Sequence, residues 1–233
     1  MILIRFVLVS VLLVTVFSVP GALANPGAES DLLAALDGLE LLNVKAEMVD
    51  YKGHKALRLS KSDAFKSGER GETVAILKGS NFKNGTIELE IAGLPAPEAG
   101  AQARGFVGVV FRMDPESVHN YECFYLRPTN GRAEDQLRRN HTVQYISHPE
   151  YTWFKLRTET PGVYESYADL VPGDWTKVKI VVSGNKARLF LQGVEQPCLI
   201  VNDLKRGDVS GKIALWIHST TIAYFRNLTV TEE

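Results

Sequence analysis

The chain has 233 residues, with 26 Lys and Arg against 27 Asp and Glu, a formal net charge of −1 and an apolar fraction of 45%. This near-neutral balance argues against a nucleic-acid or anionic-membrane partner, either of which favours a basic surface. The length suits one large β domain better than two small ones, and the two cysteines form no C-x-x-C metal pair.

Residues 1–24 start with a positive charge at Arg5, continue as an apolar run from Phe6 to Val19 and end in Ala22-x-Ala24. That pattern predicts a secretory signal peptide cleaved before Asn25. Pro20 and Gly21 interrupt the run before the ~20 residues a spanning helix needs, so no membrane segment is expected after cleavage. The expected location is secreted or periplasmic. A leader at 25–43 follows, with Leu32, Leu33, Leu36, Leu39 and Leu42 spaced for a short helix or a loosely ordered segment. The remainder, 44–233, is expected to be a single domain.

From Lys45 the apolar period becomes two. Expected strands run Ala46 to Asp50, Lys55 to Ser60, Thr73 to Leu77, Thr86 to Ala92, Phe106 to Met113, Tyr121 to Arg127, Thr176 to Ser183, Lys186 to Gln192, Cys198 to Asn202, Lys212 to His218 and Ile222 to Val230. Turn signals such as Asn84-Gly85, which suits a tight hairpin, and Ser183-Gly184-Asn185 separate them. Many short strands without a long helix predict an all-β sandwich or barrel. In Tyr121 to Arg127, Phe124 and Leu126 share a face with Glu122 and are assigned to the core. Tyr121, Cys123, Tyr125 and Arg127 are assigned to the outside.

Residues 128–172 form an insertion far longer than a hairpin loop, yet rich in aromatics, so it is expected to fold against one face of the sandwich. Arg127 to Arg157 holds six Lys or Arg against Glu134, Asp135 and Glu150, an excess suited to an anionic or hydroxyl-rich ligand. Cys123 and Cys198 could form a disulfide in an exported chain. Two unpaired thiols on separate strands are the favoured alternative, because a domain of this size needs no staple.

The segments SNFKNGTIELEIAG (80–93), GFVGVVFRM (105–113), DWTKVKIVVSGNKARLFLQG (174–193) and GKIALWIHSTTIAYFRNLTV (211–230) resemble the concanavalin A-like lectin/glucanase superfamily. The nearest branch is the exported laminin-G-like and 3-keto-disaccharide hydrolase-like domains. The resemblance spans about 43–231 and implies a jelly-roll of two curved antiparallel sheets, with sugar bound on the concave face or at a rim of loops. The E-x-D-x-(x)-E pattern of the superfamily's glucanases is missing.

Candidate ligand contacts are Arg112, Arg127, Arg138 and Arg139, whose planar guanidinium groups suit paired hydroxyls or carboxylates. Tyr125, Tyr145, Tyr151, Trp153 and Trp216 offer apolar faces for a sugar ring, with His141, Gln144 and His218 as further polar contacts. The alternative for Arg138 and Arg139 is a brace to Glu134 and Asp135. His148 and Glu150 are the candidate catalytic pair, a base beside a carboxylate, with Arg127, Arg138 or Arg139 stabilising an enolate-like charge. The bland alternative has His148 and Glu150 fastening the loop. Glu88 and Glu90 share a strand face ~7 Å apart but read best as a wet face. His141 and His148 fit no compact metal motif; Ca²⁺ would suit the superfamily, but no cofactor is required. Asn84, Asn140 and Asn227 head N-glycosylation triplets.

The first expectation is an exported carbohydrate-binding domain. The alternatives are a glycoside hydrolase or lyase of the 3-keto-disaccharide type and a laminin-G-like protein-interaction module.

Overall fold

The computed structural model describes residues 31–233 apart from 32, 34, 67, 68 and 70, so the expected signal peptide lies outside the described residues. The strands are β1 (Leu39–Leu42), β2 (Val44–Tyr51), β3 (His54–Lys61), β4 (Val74–Leu77), β5 (Gly85–Pro95), β6 (Val107–Met113) and β7 (Tyr121–Leu126). They continue as β8 (Val143–His148), β9 (Glu165–Ser166), β10 (Thr176–Ser183), β11 (Lys186–Leu191), β12 (Leu199–Val201), β13 (Lys212–Ile217) and β14 (Thr221–Glu232). Two short helices, α1 (Gln136–Asn140) and α2 (Trp153–Glu159), flank β8.

The strands form two antiparallel sheets ordered β1-β4-β13-β6-β7-β8-β9 and β12-β11-β10-β5-β14-β3-β2. This is a jelly-roll sandwich of the concanavalin A-like kind. Period-two alternation supplies its core. Ile87, Leu89 and Ile91 of β5 and Val178 and Ile180 of β10 come from one sheet; Val109 of β6, Phe124 of β7 and Ile213, Leu215 and Ile217 of β13 come from the other.

Several expectations change. Among the described leader residues Leu36–Gly38 is a single 3-10 turn in place of an α-helix, and β1 joins the sheet edge beside β4. Asn84-Gly85 is not a hairpin turn, because β4 and β5 belong to different sheets. Gly85 (φ 130) instead lies against the Thr231 carbonyl, where a Cβ would sit 2.0 Å from the oxygen. The cysteines are free: Cys123 is buried in β7 and Cys198 precedes β12 in the other sheet, so no disulfide joins them.

The 128–172 insertion adds two strands to the edge of the first sheet. β8 pairs with β7 along its whole length and β9 pairs with β8. The charged residues gather at its turns. Asp135 caps α1 by accepting from the Arg138 amide at 2.8 Å, and Thr152 caps α2 by accepting from the Lys155 amide at 3.4 Å.

The face assignment of β7 stands, but its outer face is not wet. Tyr121, Tyr125 and Arg127 are all buried, as is Glu122 on the core side. Glu122 survives there because it accepts from the Tyr145 hydroxyl and from the Arg206 amide at 2.6 Å. Burial nonetheless pushes its carboxyl above the ordinary value.

Candidate functional site

On the outer face of the first sheet one cross-strand row runs Trp216, Gly108, Tyr125, Gln144, Glu165, each opposite the next. Gly108 is required in that row: a Cβ there would lie 2.3 Å from the Phe124 carbonyl and 2.6 Å from the Tyr125 Cβ. Its lack of a side chain lets Tyr125 and Trp216 meet, with ring centroids 5.3 Å apart. Phe106 joins them, 6.2 Å from Tyr125 and 5.2 Å from His218.

This aromatic floor underlies a cleft of about 950 Å³, walled by the 100–104 loop, α1 and the start of α2. Four arginines (Arg104, Arg127, Arg138, Arg157) and three histidines (His141, His148, His218) line it. No Asp or Glu does.

Arg127 is 5% exposed and has no carboxylate within ion-pair distance among the described residues. Its Nη1 donates to the His141 carbonyl at 2.7 Å, and its Nη2 donates to the Tyr125 hydroxyl at 2.6 Å and Gln144 Oε1 at 3.2 Å. Gln144 is held in turn by donating to the Tyr145 and Tyr164 carbonyls. The guanidinium lies 4.8 Å from the Tyr125 ring centre. Burial lowers its pKa, and the Arg157 and Arg104 charges add to that against the pull of Tyr125 and Glu165.

Glu165 stands behind the wall. It binds Arg157 through a fork at 3.0 and 2.7 Å and lies 3.4 Å from His141 Nε2. The Arg157 guanidinium stacks 4.9 Å from the Trp153 ring centre. His141 Nδ1 hydrogen-bonds no described residue. Burial holds the His141 pKa below its ordinary value, with Arg157 and Arg127 acting the same way and Glu165 opposing.

His148 occupies the other end. Its Nδ1 lies 3.5 Å from Glu72 Oε1 and its ring stacks on Tyr121 at 4.9 Å. Burial pushes Glu72 up, but hydrogen bonds from His148, Tyr121 and His119 outweigh it and hold the carboxyl below its usual range. His148 stacks on Tyr121 and the Arg127 guanidinium lies over Tyr125, four residues along the same strand, so the two groups sit ~13 Å apart. The expected pairing of His148 as base with Arg127 as enolate stabiliser therefore does not form at one sugar ring.

Other expected contacts lie elsewhere. Glu150 is exposed and pairs with Lys155 at 2.9 Å, so it is no partner of His148. Arg112 is fully buried at the far end of β6, held by loop carbonyls. Tyr145 faces the core against Phe124. Tyr151 bridges Ser147 and faces Lys155 and Lys205, and Arg139 donates to the Tyr167 hydroxyl at 2.9 Å; neither lines the cleft. Arg138 and Arg139 make no ion pair with Glu134 or Asp135, so the expected brace is absent too. Gln144 supports the floor from beneath. Glu88 and Glu90 pair with Lys179 and Arg226 on the second sheet. Among the described residues no group of three His, Cys, Asp or Glu side chains could hold a metal ion.

A family model described as a 3-keto-α-glucoside-1,2-lyase-like domain matches residues 45–231. The chain belongs to this family. No curated protein matches it. Among solved structures, the carbohydrate-binding module CBM66 from Bacillus subtilis is similar at 14% identity and TM-score 0.51, covering 83% of this chain and 98% of that one. A Bacillus subtilis protein of unknown function with a galectin-like fold is similar at 13% identity and TM-score 0.52, covering 84% and 90%. These likenesses are likenesses of fold.

Of the cleft's residues, Tyr125, Arg127, Arg138, His141, His148, Trp153, Trp216 and His218 were legible in the sequence. Arg104, Phe106, Asn130 and the Glu165 support were not. Arg104 sits in a loop and Asn130 ends a single 3-10 turn, neither with any periodicity, and Glu165 lies in a two-residue strand too short to register as alternation.

Proposed function

We propose that the cleft is a carbohydrate site of an exported protein, and that its chemistry is elimination from a 3-keto-glycoside. The observation that carries this reading is the cleft's composition: aromatic floor, four arginines, three histidines and no carboxylate. Glycoside hydrolysis by retention or inversion needs two carboxyl groups at the scissile bond. Elimination needs something else, a base and a cationic partner for an enolate.

In this reading a sugar ring stacks its C–H face on Tyr125 and Trp216. His141, oriented by Glu165, takes the proton from carbon 2 beside the ketone. The electron pair passes to the ketone oxygen as an enolate, whose charge Arg127 and Arg157 offset. Return of that pair forms the C1–C2 double bond and breaks the bond from carbon 1 to the glycosidic oxygen, which leaves with the proton that the His141 imidazolium gives back. The low pKa of His141 suits this role, since a base must be neutral at working pH.

The test is a proton NMR time course of the protein with matched glycosides and 3-keto-glycosides. New unsaturated-sugar signals are expected from the 3-keto compounds alone, and they should vanish in His141→Ala while the melting temperature stays within a few degrees. Saturation transfer without new signals would remove the catalytic half of the proposal. Neither signal from any sugar would remove all of it.

A further inference from the structure

The cleft's charge is more one-sided than a neutral sugar requires. Of its four arginines only Arg157 is neutralised, by Glu165. Arg127 is buried with neutral partners alone. Arg104 is half-buried, and its nitrogens donate to the Ala101 and Ala103 carbonyls and Gln102 Oε1. The side chain of Arg138, on α1 across from that loop, has no hydrogen bond or ion pair with any described residue. Arg138 nonetheless lies close enough to Arg104 to oppose its ionisation, adding to the effect of burial.

A second feature points the same way. Asn130 also lines the cleft and is 4% exposed, and its Oδ1 accepts no hydrogen bond from any described residue. Its Nδ2 donates to the His141 carbonyl at 3.3 Å, the same oxygen Arg127 uses. A buried acceptor without a donor, in a cleft where three guanidinium groups lack a counter-charge, is unfavourable in an empty site and complementary to a particular ligand. That ligand brings a hydroxyl donor and, next to it, an anion.

Resting on the reading of the cleft as a glycan site, we infer that its ligand is an acidic sugar whose ring carries a carboxylate or a sulfate ester, seated between Arg104 and Arg138 with a neighbouring hydroxyl donating to Asn130 Oδ1. Guanidinium forks match the two parallel oxygens of either anion, and ionised partners form the stronger hydrogen bonds. Arg127 supplies field from below without moving.

Three disaccharides decide it: a neutral parent, its uronate and its 6-sulfate, titrated into the whole protein by calorimetry at low and at physiological salt. At least one acidic form is expected to bind about tenfold tighter than the neutral parent, with the advantage shrinking as salt rises. The arm that gains tells carboxylate from sulfate. Arg104→Gln with Arg138→Gln, both outside the packed core, should abolish the advantage, so that the acidic forms bind no tighter than the neutral parent. Equal affinity for all three sugars would overturn this inference and spare the glycan reading. An acidic preference that survives the double variant would also overturn it, by placing the anion elsewhere. Binding of none of the three would overturn both.

Discussion

Replacing Arg112 separates a structural arginine from a ligand-binding one. Its Nε and Nη2 donate to the Lys83 carbonyl at 3.0 and 2.7 Å. Nη2 also reaches the Gly184 carbonyl at 2.7 Å and Asn84 Oδ1 at 3.1 Å, and Nη1 donates to the Gly207 carbonyl. Asp208 lies 3.5 Å away as the counter-charge. The side chain thus ties together three loops at one end of the sandwich and does not line the cleft. Arg112→Met keeps the stem and removes every donor. Each charged hydrogen bond is worth ~1.5–3 kcal/mol, but the bonds share one group and do not add. Loss of a desolvated guanidinium also recovers part of its burial cost, so the expected net loss is ~3–5 kcal/mol. At ~2–4 °C per kcal/mol for a domain of this size, the melting temperature should fall by roughly 10 °C. Thermal unfolding followed by circular dichroism measures this, and a sugar titration below the transition should show unchanged affinity. A melting temperature within ~2 °C of the parent, with affinity lost, would refute the assignment.

Two further outcomes follow from the titrating groups. Because burial holds the His141 pKa below 6.5, the acid limb of activity on a 3-keto-glycoside should lie below pH 6.5. Glu165→Gln removes the influence that raises that pKa and should move the limb lower, as read from kcat/KM against pH. The same depressed pKa means the unfolded chain binds the proton more readily. The His141 contribution to stability is therefore complete above pH 6.5 and falls as pH drops from 6.5 toward the folded value, measurable by urea midpoints. The thiols give a separate check: burial pushes Cys198 up to about 12 and Cys123 well above its ordinary value. Neither should react with a thiol reagent in the native protein at pH 8, and both should react in denaturant without reductant. Labelling that requires reductant would restore the disulfide.

The strands carrying strict alternation, such as Ile87, Leu89 and Ile91, were readable because a half-buried strand must repeat every two residues. β8 was not readable. Val143, Tyr145 and Ser147 face the core while Gln144, Ile146 and His148 lie on the outer face, and both sets are largely buried. A strand covered on both sides loses the polar half of its alternation. The mixture of Gln, Tyr, Ser and His then reads as loop, although each polar group has a partner in the folded chain. Arg112 misled for a related reason. Sequence shows an arginine on an alternating strand, whereas its partners are backbone carbonyls from three distant turns that no residue type announces.

The acidic residues near the cleft complete the argument about what it can do. Glu165 lies behind Arg157 and His141, and Glu72 lies behind His148 and Tyr121. Each carboxylate orients a histidine instead of meeting a ligand itself, so the groups presented to solvent are imidazole and guanidinium. Such an arrangement cannot protonate a glycosidic oxygen with one carboxyl while another attacks carbon 1. It can lower the cost of a negative charge on a bound sugar, whether that charge arrives with the ligand or develops on a ketone oxygen during proton abstraction. The two histidine–carboxylate pairs stand at opposite ends of the cleft, ~13 Å apart by the four-residue step along β8 from Gln144, opposite Glu165, to His148, which is room for more than one ring. Chain length is thus a variable of this site: a ligand of one ring can engage the Arg127 end alone, and contact with His148 requires a longer one.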